Sequence, residues 1–509
     1  MSKKVALFWP GDARAKPNEL ALPSIREATT QLQRALRKLG REPYEVPGFL
    51  TKPHEAIERL GVIDDPMIGV CVHWFYGPHT TDGVVGSDNP LLLASNFSGR
   101  WPGLVGLLNT GACLESVGRR FSRAWTDAVD WTLDPAFMAR LDEWCTTGQV
   151  RYPDDAIAYH APVSKPAAAI AAKIAEGIRK RRALILMLGD TSMGMINGYF
   201  GPRLLYPHGF AEHKVDQAWI IDRGRGVAES RVDEAFAFVK NKGMTFHWRE
   251  RGAEDFDENA TREQLRDYLV VLDLVHEFKA DCLGWQYQLG LIPLRPPSDL
   301  AEGLLNSVCR PESNGDTIAC ATEADQGNVI PMELMKRVLS EKGLHQAVMF
   351  HDVRWGAPDP ARSESRFLWV LLNSGSCGAY AMNHSPETLS GVHSYRQPSL
   401  YFPTPGGTFA GESLPGEMTW ARAYLRGGEL WMDVGRGEVV KLPPATRDTW
   451  WEGTTRQWPF MAADMKMSRD TLMAHYLSNH VAVAYGDIFE EMVALSQELG
   501  FRVRVLGKP

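Results

Sequence analysis

Three short runs carry side chains that could do chemistry together. CATEADQGN holds Glu323 and Asp325, VMFHDVR holds Asp352 with His351 on the opposite face of a strand-like run, and SNHVAVAYGD holds His480. Carboxylates and an imidazole are ligands that divalent cations take from proteins, and a carboxylate is also a ready acid or base. Each residue has a plainer reading on its own. An acid between a strand and a helix is most often a cap or a solvated carboxylate, and a lone histidine is most often a hydrogen-bonded structural residue. The runs lie too far apart in sequence for a compact metal motif, so only the fold can bring them together.

The elements that must do so read as α/β. A strand from Val5 to Trp9 and a helical pattern from Ser24 to Leu39 form one βα unit, and strand-like runs follow at Met67–His73 and Leu104–Asn109. YHAPVSKP, at 159–166, has two prolines and little periodicity and suits a linker. An alanine-rich helix, 167–182, then leads into ALILMLG, whose unbroken apolar character suits a strand buried on both faces of a parallel sheet. GDTSMGMINGYFG follows where such sheets place ligand-contacting loops; Ser192 and Met193 should shape a turn, with Gly194 supplying the unusual dihedrals. Amphipathic helices are expected over 261–279 and from a start near Pro331 to Lys342. Strand-rich segments separated by Gly and Pro turns follow: QAVMFHDVR, RFLWVLLNSGS, ELWMDVG and EVVKLP. A helix at 488–499 and the strand FRVRVLG close the chain. The expectation is two open, Rossmann-like α/β domains, 1–162 and 163–342, and a mostly β C-terminal domain, 343–509. Glu323 and Asp325 would project from a strand-to-helix turn of the second domain, and the third would supply Asp352 and His480.

Bulk properties exclude several classes. A chain of 509 residues, 44% hydrophobic and 23% charged, is a folded protein of roughly two to four domains. With 55 Lys and Arg against 62 Asp and Glu and no block of like charge, nucleic acid is not an expected partner. The opening MSKKVALFWPGDAR has too short an apolar run for a signal peptide, and no stretch reaches membrane-spanning length. Seven scattered cysteines without a CxxC pair argue against a disulfide framework or a thiolate zinc site and suit a reducing cytoplasm.

Beyond these general features, the chain resembles the L-fucose isomerase family. GDTSMGM, followed by HKVDQAWIIDR, is similar to that family's SMG segment and its following VD motif. ATEADQGN resembles its metal-binding glutamate segment, FHDVRW its aspartate segment, LLNSGS the strand beyond, and SNHVAVAYGD its histidine segment, all in the family's order. CVHWFYGPHTTD resembles the aromatic segment of its first domain. The likeness is weakest over the first 60 residues and between 385 and 420.

The resemblance implies an aldose–ketose isomerase working through an enediol, with one Mn²⁺, or Mg²⁺ or Co²⁺ in its place, held by Glu323, Asp352 and His480. The two carboxylates would double as the acid/base pair. Asp325 is expected to orient a ligand, with helix capping as the alternative. Asn479 is expected at a sugar hydroxyl, and so are Gln286 or Gln288 in LGWQYQLG, where the register could slip by two. Tyr401 is expected near the sugar, and Arg14 and Trp74 at a neighbouring subunit's site in a hexamer. Ordinary readings stand beside these: Trp74 as core, Arg14 as a surface charge, Gln286 as a loop amide.

The opening FWPGDARAKPNEL departs from the family's usual start, and the third domain is short for it, so the reaction is better specified than the sugar. Arg354, His393 and Arg396 would add positive charge near the site. That keeps a sugar with an anionic C6 group, such as sulfoquinovose, beside L-fucose and D-arabinose. Two rivals remain at this stage: a non-catalytic sugar-binding protein, and a metal-dependent epimerase or aldolase using the same enediolate chemistry.

Overall fold

The run from Val5 to Pro10 is buried along its length, the mark of an inner strand of a parallel sheet. A computed structural model describes residues 2–97, 103–190, 193–345, 347–362, 366–372 and 376–507. In it β1 (Lys4–Pro10), β2 (Glu42–Leu50), β3 (Met67–Cys71), β4 (Leu91–Asn96) and β5 (Ser122–Thr126) form a parallel sheet in the order β2-β1-β3-β4-β5. That order reverses between β1 and β3, and such a sheet opens a ligand crevice at the carboxyl ends of those two strands. Arg14 follows β1 and Trp74 follows β3.

The short β6 (Ile157–Ala158) leaves this sheet for the C-terminal one. A second parallel sheet then contains β7 (Ala183–Leu188), β8 (Phe210–Val215), β10 (Cys282–Trp285) and β11 (Ala319–Thr322), ordered β11-β10-β7-β8. Between them β9 (Thr245–Phe246) pairs instead with β14 (His393–Ser394). This sheet also reverses direction, between β7 and β10, and the loops leaving β7, β10 and β11 share one edge.

The C-terminal strands are β12 (Val348–Pro358), β13 (Phe367–Leu372), β15 (Gly416–Arg426), β16 (Glu429–Val439), β17 (Phe460–Asp464), β18 (His480–Tyr485) and β19 (Arg502–Leu506). With β6 they make one sheet ordered β15-β18-β12-β13-β17-β16-β19-β6. Because β15 also pairs with β16 along its whole length, the first six strands close into a ring. Closure removes the exposed edges that an open antiparallel sheet would leave. One apolar cluster joins Phe8 and Leu93 of the first sheet, Leu186 and Trp285 of the second, and Trp369 and Val483 of the third, so the three layers hold fixed positions around the cleft they share. Two open α/β layers followed by a β-rich C-terminal domain are therefore present as expected. Among the described residues no helix is long and apolar enough to cross a membrane.

Three local expectations are corrected. Leu104–Asn109 is not a strand but the first half of a helix, Leu104–Ser116, buried without a break from Leu104 to Leu114. A helix buried all round shows no polar face, so its apolar run is indistinguishable from that of an inner strand. The first helix begins at Ala15 rather than Ser24 and runs through Pro23. The helix expected to open near Pro331 begins at Gln326, capped by Asp325, and carries that proline in its body. Gly194 does take a positive φ, +70°, whereas Ser192 and the NSG of LLNSGS lie outside the described residues.

Candidate active site

The edges of all three sheets meet at one cleft lined by Arg14, Trp74, Gln288, Glu323, Asp352, Arg354, Tyr401, Asn479 and His480, with Val105, Met193, Phe402 and Trp458 completing its walls. Strand register accounts for one corner. On the antiparallel β12–β18 pair, Asp352 lies directly opposite His480, and Asp352 Oδ1 stands 3.0 Å from His480 Nε2. Asn479 Nδ2 donates to the same carboxylate oxygen over 3.2 Å. His351, on the other face, is fully buried.

Glu323 reaches this corner from the second sheet through a strained turn. It leaves β11 with φ of +62°, and Ala324 follows at +54°, a left-handed pair of non-glycine residues. Such dihedrals persist only where the surroundings hold them. Here the Ala324 amide donates to the Trp285 carbonyl over 3.1 Å, and Gln288 Nε2 donates to Glu323 Oε1 over 3.0 Å. The other oxygen, Oε2, lies 3.9 Å from His480 Nε2. The turn also sends Glu323 and Asp325 to different sides of His480. Asp325 points behind the imidazole, its Oδ2 2.6 Å from His480 Nδ1, while its Oδ1 accepts from the Gly327 amide at 2.8 Å. It both orients the ring and caps the helix.

Burial alone would push the His480 imidazolium down, but the Asp352 and Asp325 carboxylates override it and raise the group to about 9. Burial would likewise raise Asp325, yet the adjacent Arg422 and His480 hold it down at about 2. With Asp325 accepting from Nδ1–H, the Nε2 lone pair of a neutral imidazole would face the two carboxylates.

Arg14 and Trp74 line the cleft within their own chain. Arg14 is ion-paired to the fully buried Asp12, its guanidinium lies 4.9 Å from the Tyr401 ring centroid, and its Nη1 approaches Gln288 Oε1 to 3.5 Å. The physical reason is the sheet order: the β1 and β3 loops open on the crevice side, and that side faces the second and third sheets. Gln286 lies outside the cleft, its Oε1 accepting from the Asp190 amide, so of the two glutamines Gln288 holds the site position. His393 pairs with His247, and Arg396 is tied to Asp255 and to backbone carbonyls, so neither adds charge to the cleft. Arg354 does line it, beside Trp458, and among the described residues no carboxylate forms an ion pair with it.

Phe402 and Trp458 were not legible as site residues, being apolar positions in runs with no pattern of their own, while Met193 was read as a turn residue and Val105 as part of a strand. Arg422 was missed too, although a lone arginine inside TWARAYL, a run buried on both faces, signals a buried charged partner.

Two carboxylates and an imidazole are a donor set suited to an open, oxygen-rich divalent site. The side chains are drawn together by direct hydrogen bonding, and no group of three or more His, Cys, Asp or Glu among the described residues is spaced as a ready-made cage. Yet adjacent donors of an octahedral ion with bonds of ~2.1 Å sit ~3.0 Å apart, close to the Asp352–His480 spacing, while Glu323 at 3.9 Å would have to turn slightly. The residues therefore fit such an ion by chemistry and by approximate spacing. No curated protein matches the chain. Residues 371–506 match the family described as L-fucose isomerase, C-terminal domain; the match runs from the end of β13 through β19 and includes His480. Over those residues the chain carries the C-terminal domain of the L-fucose isomerase family.

Proposed function

We propose that the chain is a metal-dependent aldose–ketose isomerase acting on a free sugar at the cleft between its three sheets. The observation that carries this reading is the convergence of Glu323, Asp352 and His480, from two different sheets, on one corner of the cleft. These three residues would hold the ion, Mn²⁺ with Mg²⁺ or Co²⁺ as substitutes. When bound, such a cation stabilises negative charge on two adjacent sugar oxygens.

The rest is the work of the chain's own groups. Gln288 and Asn479 each bond one site carboxylate and hold it in place. Glu323 and Asp352 then serve as the acid/base pair: one takes the proton from C2 of the aldose while the other gives one to O1, and the enediol becomes the ketose as the O2 hydroxyl returns its proton to the second carboxylate and the first places a proton at C1. Trp74, Tyr401, Phe402 and Trp458 give the sugar apolar walls and exclude water. Arg354, with no carboxylate partner among the described residues, favours a C6-anionic hexose such as sulfoquinovose over L-fucose or D-arabinose. A hexamer is carried by the family resemblance alone, and a cytoplasmic location by the scattered cysteines.

The test is ketose formation from each sugar by protein stripped with chelator and then resupplied with Mn²⁺, run in deuterated water. Isomerisation that returns with Mn²⁺ and carries solvent deuterium at C1 or C2 supports the reading. Sugar binding without turnover would leave a binding protein, and cleaved or C2-inverted products an aldolase or epimerase.

A further inference from the structure

Behind His480, on the side away from the cleft, lies a buried chain of charges that the acid/base chemistry does not use. Arg422, from the middle of β15, is 1% exposed, Asp325 is fully buried, and His480 is 2% exposed. Nη1 of Arg422 donates to Asp325 Oδ2, the oxygen that also faces His480 Nδ1, and to Asn328 Oδ1 at 3.0 Å. The backbone is shaped to admit this chain. A side chain at Gly327 would place its Cβ 2.5 Å from the guanidinium carbon of Arg422, and one at Gly198 would come within 2.8 Å of Asp325 Oδ1. Both glycines are spaces occupied by the charged groups.

We propose that Arg422 is a positioning residue for the metal site: it fixes the Asp325 carboxylate and, through it, the tautomer and orientation of His480. A histidine ligand is set by the group that accepts its other ring N–H, and losing such support typically costs 10- to 100-fold in metal affinity. An aspartate with no cation behind it would keep its bond from the Gly327 amide but be free to turn its other oxygen toward the Asn328 amide, and the imidazole would lose the acceptor that fixes Nδ1–H. Arg422 also closes the charge balance. Glu323, Asp352 and Asp325 carry three negative charges, of which a divalent cation neutralises two and Arg422 the third. A buried charge left without its partner is costly, so the arginine belongs to the site as built.

This inference rests on the metal-site reading above, and its test separates the two. Mn²⁺ binding to metal-free wild type, Arg422→Gln and Arg422→Lys is measured by calorimetry and by electron paramagnetic resonance, with circular dichroism and the melting transition establishing that each protein is folded. The expected result is a Kd raised 10- to 100-fold in R422Q with a broadened Mn²⁺ spectrum, and a partial return in R422K, which restores the charge without the planar fork. Asp325→Asn should weaken binding at least as much while leaving Arg422 in place. Wild-type affinity in folded R422Q and folded D325N would overturn the positioning role alone; no Mn²⁺ binding by wild type would overturn the metal-site reading and this inference with it. Should R422Q fail to fold, R422K and D325N decide together: wild-type affinity in both overturns the positioning role, and weakened affinity in D325N with a smaller loss in R422K, each at unchanged melting temperature, supports it.

Discussion

Asp352 and His480 face each other across the antiparallel β12–β18 ladder, and the carboxylate oxygen and ring nitrogen that point into the cleft are 3.0 Å apart. One residue of slip in that register would send one of the two side chains to the opposite face, so the pairing of these strands is itself a condition for the site.

Proton competition at this pair gives the first prediction. In the metal-free protein His480 titrates at about 9, raised because Asp352 and Asp325 outweigh its burial. A cation needs the neutral ring, so below about 9 each ion bound displaces one proton, and apparent Mn²⁺ affinity should climb about tenfold per pH unit before levelling above 9. Stability of the metal-free protein has the opposite trend. The folded value lies above the ordinary 6.5, so the contribution of His480 is complete below 6.5 and disappears as pH rises through 9. Calorimetric titration in buffers of different ionisation enthalpy counts the released protons. A pH-independent affinity between 6 and 8 would refute the proposed ligand.

The origin of Arg14 and Trp74 gives the second. Both line the cleft of the chain that carries Glu323. Losing a hydrogen-bonding charge costs about 1.5–3 kcal/mol, so Arg14→Ala should lower kcat/KM about 10- to 100-fold. Co-expressing Arg14→Ala with Glu323→Gln should restore nothing, because no mixed assembly could combine an intact Arg14 and an intact Glu323 in one cleft. Recovered activity in the co-expressed pair would mean that the arginine is supplied by a neighbour.

What sequence reading can and cannot reach is visible in these residues. Glu323, Asp352 and His480 stood out because their segments resemble those of the L-fucose isomerase family; by pattern alone each had a plainer reading. The contact between them depends on strand register and on the closing of six strands into a ring, and neither leaves a trace in local pattern. Gln288 rather than Gln286 occupies the cleft because Tyr287 takes a positive φ of +37° and turns the chain after β10, which periodicity cannot show. Leu104–Ser116 was misread because complete burial removes the polar face that distinguishes a helix. That Arg14 and Trp74 line the cleft within their own chain was out of reach for a larger reason: which edge of one sheet faces another is decided by tertiary packing alone.

The third prediction concerns the strained turn that aims Glu323. Gly284, on β10, packs against it so closely that a methyl group there would stand 2.9 Å from the Ala324 Cα. Gly284→Ala must displace that turn or the strand. Overpacking of this kind costs about 1–3 kcal/mol, so the melting temperature should fall and Mn²⁺ affinity with it. Gly177→Ala is the control: it lies exposed in the helix Lys165–Lys180 with open space around the added methyl, and should be neutral or stabilising by about 0.5–1 kcal/mol. Wild-type metal affinity in G284A would show that the turn does not aim the glutamate.

The last prediction addresses the sugar. Arg14 is neutralised by Asp12 at 2.7 Å, whereas Arg354 lines the same cleft with no ion-pair partner among the described residues and with its Nε buried and unbonded. A cation left in that condition beside a ligand site is best matched by an anion on the ligand, and a charge-assisted contact of this kind is worth about 1.5–3 kcal/mol. Arg354→Met, which keeps the length of the side chain and its packing near Trp458, should therefore reduce kcat/KM for a C6-sulfonated or C6-carboxylated hexose about 10- to 100-fold. Turnover of a neutral sugar such as L-fucose should change less than threefold, which is about 0.7 kcal/mol. Because the substitution leaves Glu323, Asp352 and His480 untouched, Mn²⁺ affinity should stay at the wild-type value, and any loss is then assignable to sugar recognition. Equal losses on charged and neutral sugars would instead make Arg354 a wall of the cleft, and the anionic substrate would be abandoned in favour of L-fucose or D-arabinose.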